Sequence, residues 1–382
     1  MLRSHKIALN PNNEQSTYFA KACGVARFAF NWALAEWKRQ YAAGGKPTQA
    51  SLRRQLNAIK REQFPWMLEV TKNAPQLAII HLGQAYQNFF AGRDKYPAFK
   101  KKGIHDSFTL TNDQFIVSDK KIRIPNLGWV RMREKLRFSG KVMSATVSRQ
   151  ADRWFVSITV DTQDVPQTCK SQTAVGVDLG INRLATLSDG TIVRGPKPYK
   201  TLLNRIRRLS RSLSRKQKGS KNRAKAKAKL ARLHARIANI RKDGLHKLTT
   251  RLTSQYGAVA IEDLNVRGMM RNQHLAQAIG DMGFHEFRRQ LEYKSVMRGG
   301  IVVVVDRWFA SSKICSKCDY KMENMPLSVR LGDCPNCGTH HDRDQNAAEN
   351  LVKLAVSSTV TACREESSGG TCLSNVKLAS VK

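Results

Sequence analysis

The chain has 382 residues, 66 Lys plus Arg against 29 Asp plus Glu, and a formal net charge of +37. Such a surplus repels itself within a compact body and is neutralised most readily by phosphates, so the predicted partner is nucleic acid rather than a membrane. The 41% of hydrophobic residues exclude a disordered basic tail, and neither residues 1–13 nor the longest aliphatic run, Ile301 to Val305, has the length of a signal peptide or a bilayer span, which predicts a cytosolic protein.

Residues 14 to about 92 read as helices, with Phe19, Cys23, Ala26, Phe30, Ala33 and Trp37 at three- and four-residue steps and Leu77, Ile80 and Phe89 on a second such face. KYPAFKKKG (95–103) reads as a basic linker, solvated or in contact with phosphate. From Ser107 to Asp161 short alternating stretches predict a β-rich module, with Lys141 to Val147 and Trp154 to Val160 across a polar turn.

AVGVDLGINRLATLSDGTIV (174–193) predicts three antiparallel strands, the last two joined by an Asp189-Gly190 turn. GAVAIEDLN (257–265) and GGIVVVVDRW (299–308) each read as a buried strand, with an amphipathic helix near 284–298 between them. Strands followed by interleaved helices and strands describe an RNase H-like α/β domain. Between them, residues 201–242 hold sixteen Lys or Arg and no acid. Leu202, Ile206, Leu209 and Leu213, then Leu230, Leu233, Ile237 and Ile240, keep helical spacing on either side of KQKGSKN (216–222), so a helical hairpin with a one-signed outer face is expected, suited to nucleic acid. The Ser-, Thr- and Gly-rich tail after about Ala355 predicts disorder.

Four of the eight cysteines, Cys315, Cys318, Cys334 and Cys337, form C-x2-C-x15-C-x2-C. Two tight knuckles each donating two thiolates suit one tetrahedral zinc, and a closed four-sulfur shell leaves no open position for catalysis, so the zinc is structural. Asp178 in the first strand of the α/β region, Glu262 at the end of VAI and Asp344 where a helix begins are each a carboxylate at a strand end or helix start. One such acid is ordinarily a cap or turn residue. Three of them match the acids that converge on one edge of an RNase H-like fold, where hard oxygen ligands select Mg2+ or Mn2+ for two-ion phosphodiester hydrolysis. Asp263, next to Glu262, points to the opposite face of its strand. Asp342 is the alternative to Asp344, and it or Asn346 could instead orient a metal ligand through a hydrogen bond.

GVDLGINRLATLSDG, IEDLNVRGM and SSKICSKC followed by LSVRLGDCPNCGTHHDRDQNAAENL resemble the TnpB family of insertion-sequence proteins, long described as accessory transposases and similar to the type V CRISPR effectors. The resemblance extends from HKIALNPNNEQ to the last motif and leaves only the tail aside. It implies a wedge β-barrel (1–13 and 96–168) interrupted by a helical recognition domain (14–95), then a RuvC nuclease domain (169–308) with the basic hairpin at 201–250, a zinc ribbon (309–339), a last RuvC helix (340–356) and a disordered tail (357–382). It also implies RNA-guided cleavage of DNA beside a short motif read by the protein, with one chain per guide RNA and both double- and single-stranded DNA as target. In the family the acids matching Asp178, Glu262 and Asp344 are catalytic, and Arg330 matches a recurrent arginine that could reach the scissile phosphate or serve in an ion pair. Asp319 departs from the Gly that many members carry after the second cysteine, which alters the turn but not the ligands. Two other functions share these features: a guided DNA-binding protein without cleavage, and a transposase that transfers strands itself. An architectural protein would have no use for the three acids.

Overall fold

The computed structural model describes residues 1–162, 171, 173–323, 325, 326, 329–365 and 377–378, with side chains placed as far as residue 357. The chain divides into two compact units, Met1–Val165 and Pro166–Lys382. Among the described residues no helix is long and apolar enough to cross a membrane.

In the first unit, β1 (Leu2–Ala8) precedes three helices, α1 (Asn13–Ala42), α2 (Gln49–Gln63) and α3 (Asn73–Phe90). Six strands follow: β2 (Ser107–Thr111), β3 (Ile116–Ser118), β4 (Lys121–Ile124), β5 (Gly128–Arg131), β6 (Lys141–Gln150) and β7 (Arg153–Asp161). β1 pairs antiparallel with β7 from Leu2 opposite Asp161 to Ala8 opposite Phe155, so the helices are an insertion after the first strand of the sheet β1-β7-β6-β2. α1 begins with a reciprocal cap, Gln15 N to Asn12 Oδ1 at 2.8 Å and Asn12 N to Gln15 Oε1 at 3.1 Å, and buries Phe19, Cys23, Ala26, Phe30 and Ala33 as the periodicity requires.

Two expectations for this unit change. In α3 the buried stripe is Ala78, Ile79, Leu82 and Tyr86, not Leu77, Ile80 and Phe89, which lie half-buried on its flanks. Gly83 on the same face lets α2 approach closely, since a side chain there would meet Gln49 at 3.0 Å. The basic segment 95–103 is exposed as expected apart from Pro97, but it is anchored at Lys100. The Asn31 side chain accepts from Lys100 N at 2.7 Å and donates to its carbonyl at 2.9 Å, and the Lys100 ammonium sits 4.0 Å from the Phe30 ring centroid.

The second unit opens with β8 (Thr173–Asp178), β9 (Ala185–Leu187) and β10 (Ile192–Val193), antiparallel as expected, and continues into α4 (Pro198–Ser214) and α5 (Lys221–Gln255). β11 (Ala258–Glu262), α6 (Val266–Met269), α7 (Ala276–Met282), α8 (Phe284–Met297) and β12 (Ile301–Val305) follow, then the short pair β13 (Leu331–Asp333) and β14 (His340–Asp342) and the helix α9 (Arg343–Glu365). α4 and α5 form the hairpin, closed by Ile206, Leu233 and Ile237. Of its sixteen basic residues between 201 and 242, all but Lys216, Arg223 and Arg241 are exposed. Buried Asp281 fixes its root, accepting from Tyr199 N and Lys200 N, both at 2.9 Å, at the start of α4.

The sheet runs β10-β9-β8-β11-β12, with β11 parallel to both β8 and β12. Period-two alternation gives it two different faces. Val175, Val177, Val259 and Ile261 pack with Leu245, Leu248, Phe287 and Leu291, whereas Ala174, Ala258 and Ala260 on the other face pack with Leu351, Val352 and Ala355 of α9. Only Val305 of β12 is buried, against the expectation of a buried strand, because β12 lies at the end of the strand order with one neighbour. α9 runs to Glu365, past the expected end near residue 356. Of the tail expected to be disordered, Lys377–Leu378 (β15) pairs with β8, while 366–376 and 379–382 lie outside the described residues.

Candidate active site

On the face turned to α9, β8 reads Ala174, Gly176, Asp178 and β11 reads Ala258, Ala260, Glu262. In each strand two small residues precede one acid at the carboxyl end. Register sets Ile261 beside Val177, so Asp178 and Glu262 end neighbouring parallel strands on the same face. The small residues let α9 approach: a Cβ on Gly176 would stand 1.9 Å from the Ala348 carbonyl oxygen. That approach brings Asp344, in the first turn of α9, over the strand ends.

Asp178 reports the convergence. Its carboxyl is raised from 3.8 to about 7, first by burial and then by the negative charges of Glu262 and Asp344, while Arg343 and Arg330 pull the other way. A half-buried carboxylate under the negative charge of two others favours a cation beside it.

The other sequence candidates divide cleanly. Glu262 Oε1 accepts from Ser311 Oγ at 2.6 Å, and Asp344 Oδ1 accepts from Arg330 Nη1 at 3.0 Å. Asp342 is occupied elsewhere: its Oδ1 caps α9, taking Asp344 N at 3.0 Å and Gln345 N at 3.3 Å, and its Oδ2 takes Arg183 Nη1 at 2.8 Å. Asp263 faces away and pairs with Arg288 at 2.7 Å and with Arg307. Asn346 is buried but turned to a loop, donating to Ile314 O at 2.6 Å and accepting from Ser316 N at 2.8 Å. Sequence reasoning missed Ser311, Arg183 and Arg343, none of which lies in a pattern that singles it out. A cavity of about 510 Å³ opens beside Glu262, lined in part by Arg267, Arg288, Arg289 and Arg307.

Cys315, Cys318, Cys334 and Cys337 come together with all four sulfurs within 4.8 Å of one another. The pairs Cys315–Cys337 and Cys318–Cys334 lie 3.7 and 3.6 Å apart, close to the roughly 3.8 Å edge of a sulfur tetrahedron built on Zn–S bonds of ~2.3 Å. Thr339 bonds the Cys337 sulfur at 3.2 Å and helps lower its thiol to about 6, in favour of the ligating thiolate. The four residues therefore fit zinc. Among the described residues no second group of three or more His, Cys, Asp or Glu is drawn together so tightly, and the three acids are therefore spaced more widely than the cysteines. Asp319 adopts φ of 58°, the conformation that the family's glycine holds at no steric cost, and pairs with Lys353 at 3.2 Å.

Family models match three stretches: one described as "Probable transposase" over 157–273, a "Cas12f1-like, TNB domain" over 284–351 and a "Helix-turn-helix domain" over 1–46. A "Putative RNA-guided DNA endonuclease" of Streptomyces pristinaespiralis is 38% identical over 374 residues, which cover 94% of this chain and 90% of that protein. The chain belongs to the TnpB family. InsQ of Escherichia coli K12, also named a putative RNA-guided DNA endonuclease, is 34% identical to this TnpB protein over 95% of the chain and 94% of its own length. A solved Cas12f1 in complex with sgRNA and target DNA superposes with a TM-score of 0.60 at 16% identity, covering 89% of the TnpB chain and 83% of its own, which establishes a shared α/β fold. One description does not suit this chain: its residues 1–46 are a strand and a single 30-residue helix, with no second helix to make a helix-turn-helix.

Proposed function

We propose that this TnpB protein is the RNA-guided DNA endonuclease of an insertion sequence, with Asp178, Glu262 and Asp344 as the ligands of its divalent ions. The observation that carries the reading is that Asp178 and Glu262 end neighbouring strands on the face that α9 approaches, with Asp178 pushed up to about 7 by burial and by the charges of Glu262 and Asp344. Oxygen ligands of this kind select Mg2+ or Mn2+, and two such ions supply an activated water on one side of a phosphodiester and charge neutralisation at the leaving 3′-oxygen on the other. Hydrolysis in that sense leaves a 5′-phosphate.

The chain's own residues prepare that site. Gly176 admits α9, and Arg330 holds Asp344 while leaving a guanidinium within reach of a phosphate oxygen. The arginine-lined cavity beside Glu262 suits the backbone of the strand to be cut. The exposed basic face of α4 and α5 suits a heteroduplex held by shape and charge, with sequence read by guide pairing. In this reading residues 169–308 with α9 form the RuvC-like nuclease domain, the four-cysteine module its structural zinc ribbon, and the first unit a wedge barrel with an inserted recognition domain.

The test is cleavage by the RNA-loaded protein. Asp178→Ala and Glu262→Ala should each abolish cutting of matched DNA in magnesium while RNA and target still bind. Undiminished cutting, or parallel loss of binding, would refute the assignment. Joined donor and target strands formed without RNA would instead establish a transposase.

A further inference from the structure

Glu262 and the acids around it are held by two kinds of partner. Asp344 pairs with Arg330, Asp342 with Arg183, and Asp263 with Arg288 and Arg307. Among the described residues no cation pairs with Glu262, and its partner is the neutral hydroxyl of Ser311, at 2.6 Å. An arginine orients a carboxylate at the cost of cancelling its charge. A hydroxyl fills one lone pair on Oε1 and leaves the full charge and the second oxygen for a cation.

Ser311 is itself fixed. It is 3% exposed, and its carbonyl accepts from Asn350 Nδ2 at 2.8 Å. The same Asn350 nitrogen reaches Ile314 O at 2.6 Å, and Asn346 bonds Ile314 O and Ser316 N at 2.6 and 2.8 Å. Ser316 Oγ donates to Glu349 Oε2 at 2.7 Å. Asn346, Glu349 and Asn350 stand at i, i+3 and i+4, one stripe of α9, and grip residues 311–316 at both ends. Buried polar groups are costly unless satisfied, and these are satisfied by that loop's backbone and hydroxyl. The loop contains Cys315, so the first cysteine knuckle and the hydroxyl that orients Glu262 share one clamp, on the helix that also carries Asp344.

We infer that Ser311 is the positioning residue for Glu262, and that the polar stripe of α9 sets it in register with the cysteine knuckle and with Asp344. The inference rests on the reading of Glu262 as a metal ligand. Without the hydroxyl the glutamate's side-chain torsions are free, and each ion must order the carboxylate as it binds. The loss falls on cation affinity, by about tenfold or more, rather than on folding or on nucleic-acid binding.

The experiment compares wild type, Ser311→Ala, Ser311→Thr and Glu262→Ala, each as the full chain loaded with guide RNA. It measures cleavage rate against Mg2+ concentration, target binding, thermal midpoint, and Mn2+ binding by electron paramagnetic resonance with a phosphorothioate target. Ser311→Ala should raise the half-saturating Mg2+ about tenfold and weaken Mn2+ binding in proportion, with target binding and midpoint unmoved, and Ser311→Thr should restore the wild-type curve. An unchanged Mg2+ curve in Ser311→Ala, with wild type cutting and Glu262→Ala inactive, overturns the positioning role alone. A lowered midpoint that threonine fails to restore assigns the effect to packing and overturns it too. Undiminished cutting by Glu262→Ala overturns both this inference and the reading beneath it.

Discussion

Asp178 makes the convergence of the acids measurable without any cleavage assay. In the metal-free protein its carboxyl holds its proton up to about 7, whereas in the unfolded chain it ionises near 3.8. Below 3.8 both states are protonated and no difference exists. Between 3.8 and 7 the unfolded state loses the proton first, so stability falls as pH rises, and above 7 the loss is complete. At ~1.4 kcal/mol per pH unit, the ionised carboxylate costs the folded state at most about 4 kcal/mol. Asp178→Asn removes that cost. For a unit of this size 1 kcal/mol corresponds to roughly 2–4 °C, so in chelator at pH 8 the variant should melt above wild type by at most about 8–16 °C. The gap should close as pH is lowered to 4, and Mg2+ should close it at pH 8 by stabilising wild type alone. Calorimetry or circular dichroism across pH 4–8, with and without Mg2+, reads each of these changes. An Asp178→Asn variant no more stable than wild type at pH 8 in chelator would refute the claim that burial, with the charges of Glu262 and Asp344, raises this carboxyl.

Three further outcomes follow from the same geometry. Gly176→Ala should cost about 3 kcal/mol or more by forcing α9 off β8, and should lower cleavage beyond what the loss of folded protein explains; a midpoint within 1–2 °C of wild type, read by calorimetry, contradicts the close approach. Arg330→Ala removes a half-exposed ion pair worth less than about 1 kcal/mol, so stability should hold while cleavage falls on the order of a hundredfold; unchanged single-turnover rates would leave Arg330 as an ion-pair residue only. Reversing Lys225, Lys227 and Lys229 together to Glu should weaken RNA binding and flatten its dependence on log salt concentration, by roughly 0.7–0.9 for each phosphate no longer neutralised; an unchanged slope in filter binding would remove the hairpin from the interface.

What the sequence could disclose follows from how local each signal is. Asp178 and Glu262 were legible as acids in or at the end of apolar strands, and period two alone places Asp263 on the face opposite Glu262. The cysteine cluster was legible from spacing, and the hairpin from its leucine periodicity and one-signed charge. Local pattern did not separate Asp342 from Asp344 and the family resemblance favoured Asp344; the structure adds that Asp342 caps α9. Ser311 and Arg183 were illegible because their partners are 49 and 159 positions away, and a lone Ser or Arg carries no periodic mark. The stripe of α3 was misjudged because apolar residues lie all round this helix, so spacing alone offered more than one face.

Cleavage as proposed requires that three acids distant in the chain share divalent ions. A crystal or cryo-EM structure of the complex with guide RNA and a phosphorothioate target, with Mn2+ located by its anomalous signal, tests this most directly. Two peaks about 4 Å apart are expected, bounded by Asp178, Glu262 and Asp344 and bridged by the target phosphate. Manganese bound elsewhere, with these three carboxylates empty in a complex that cuts its unmodified target, would contradict it.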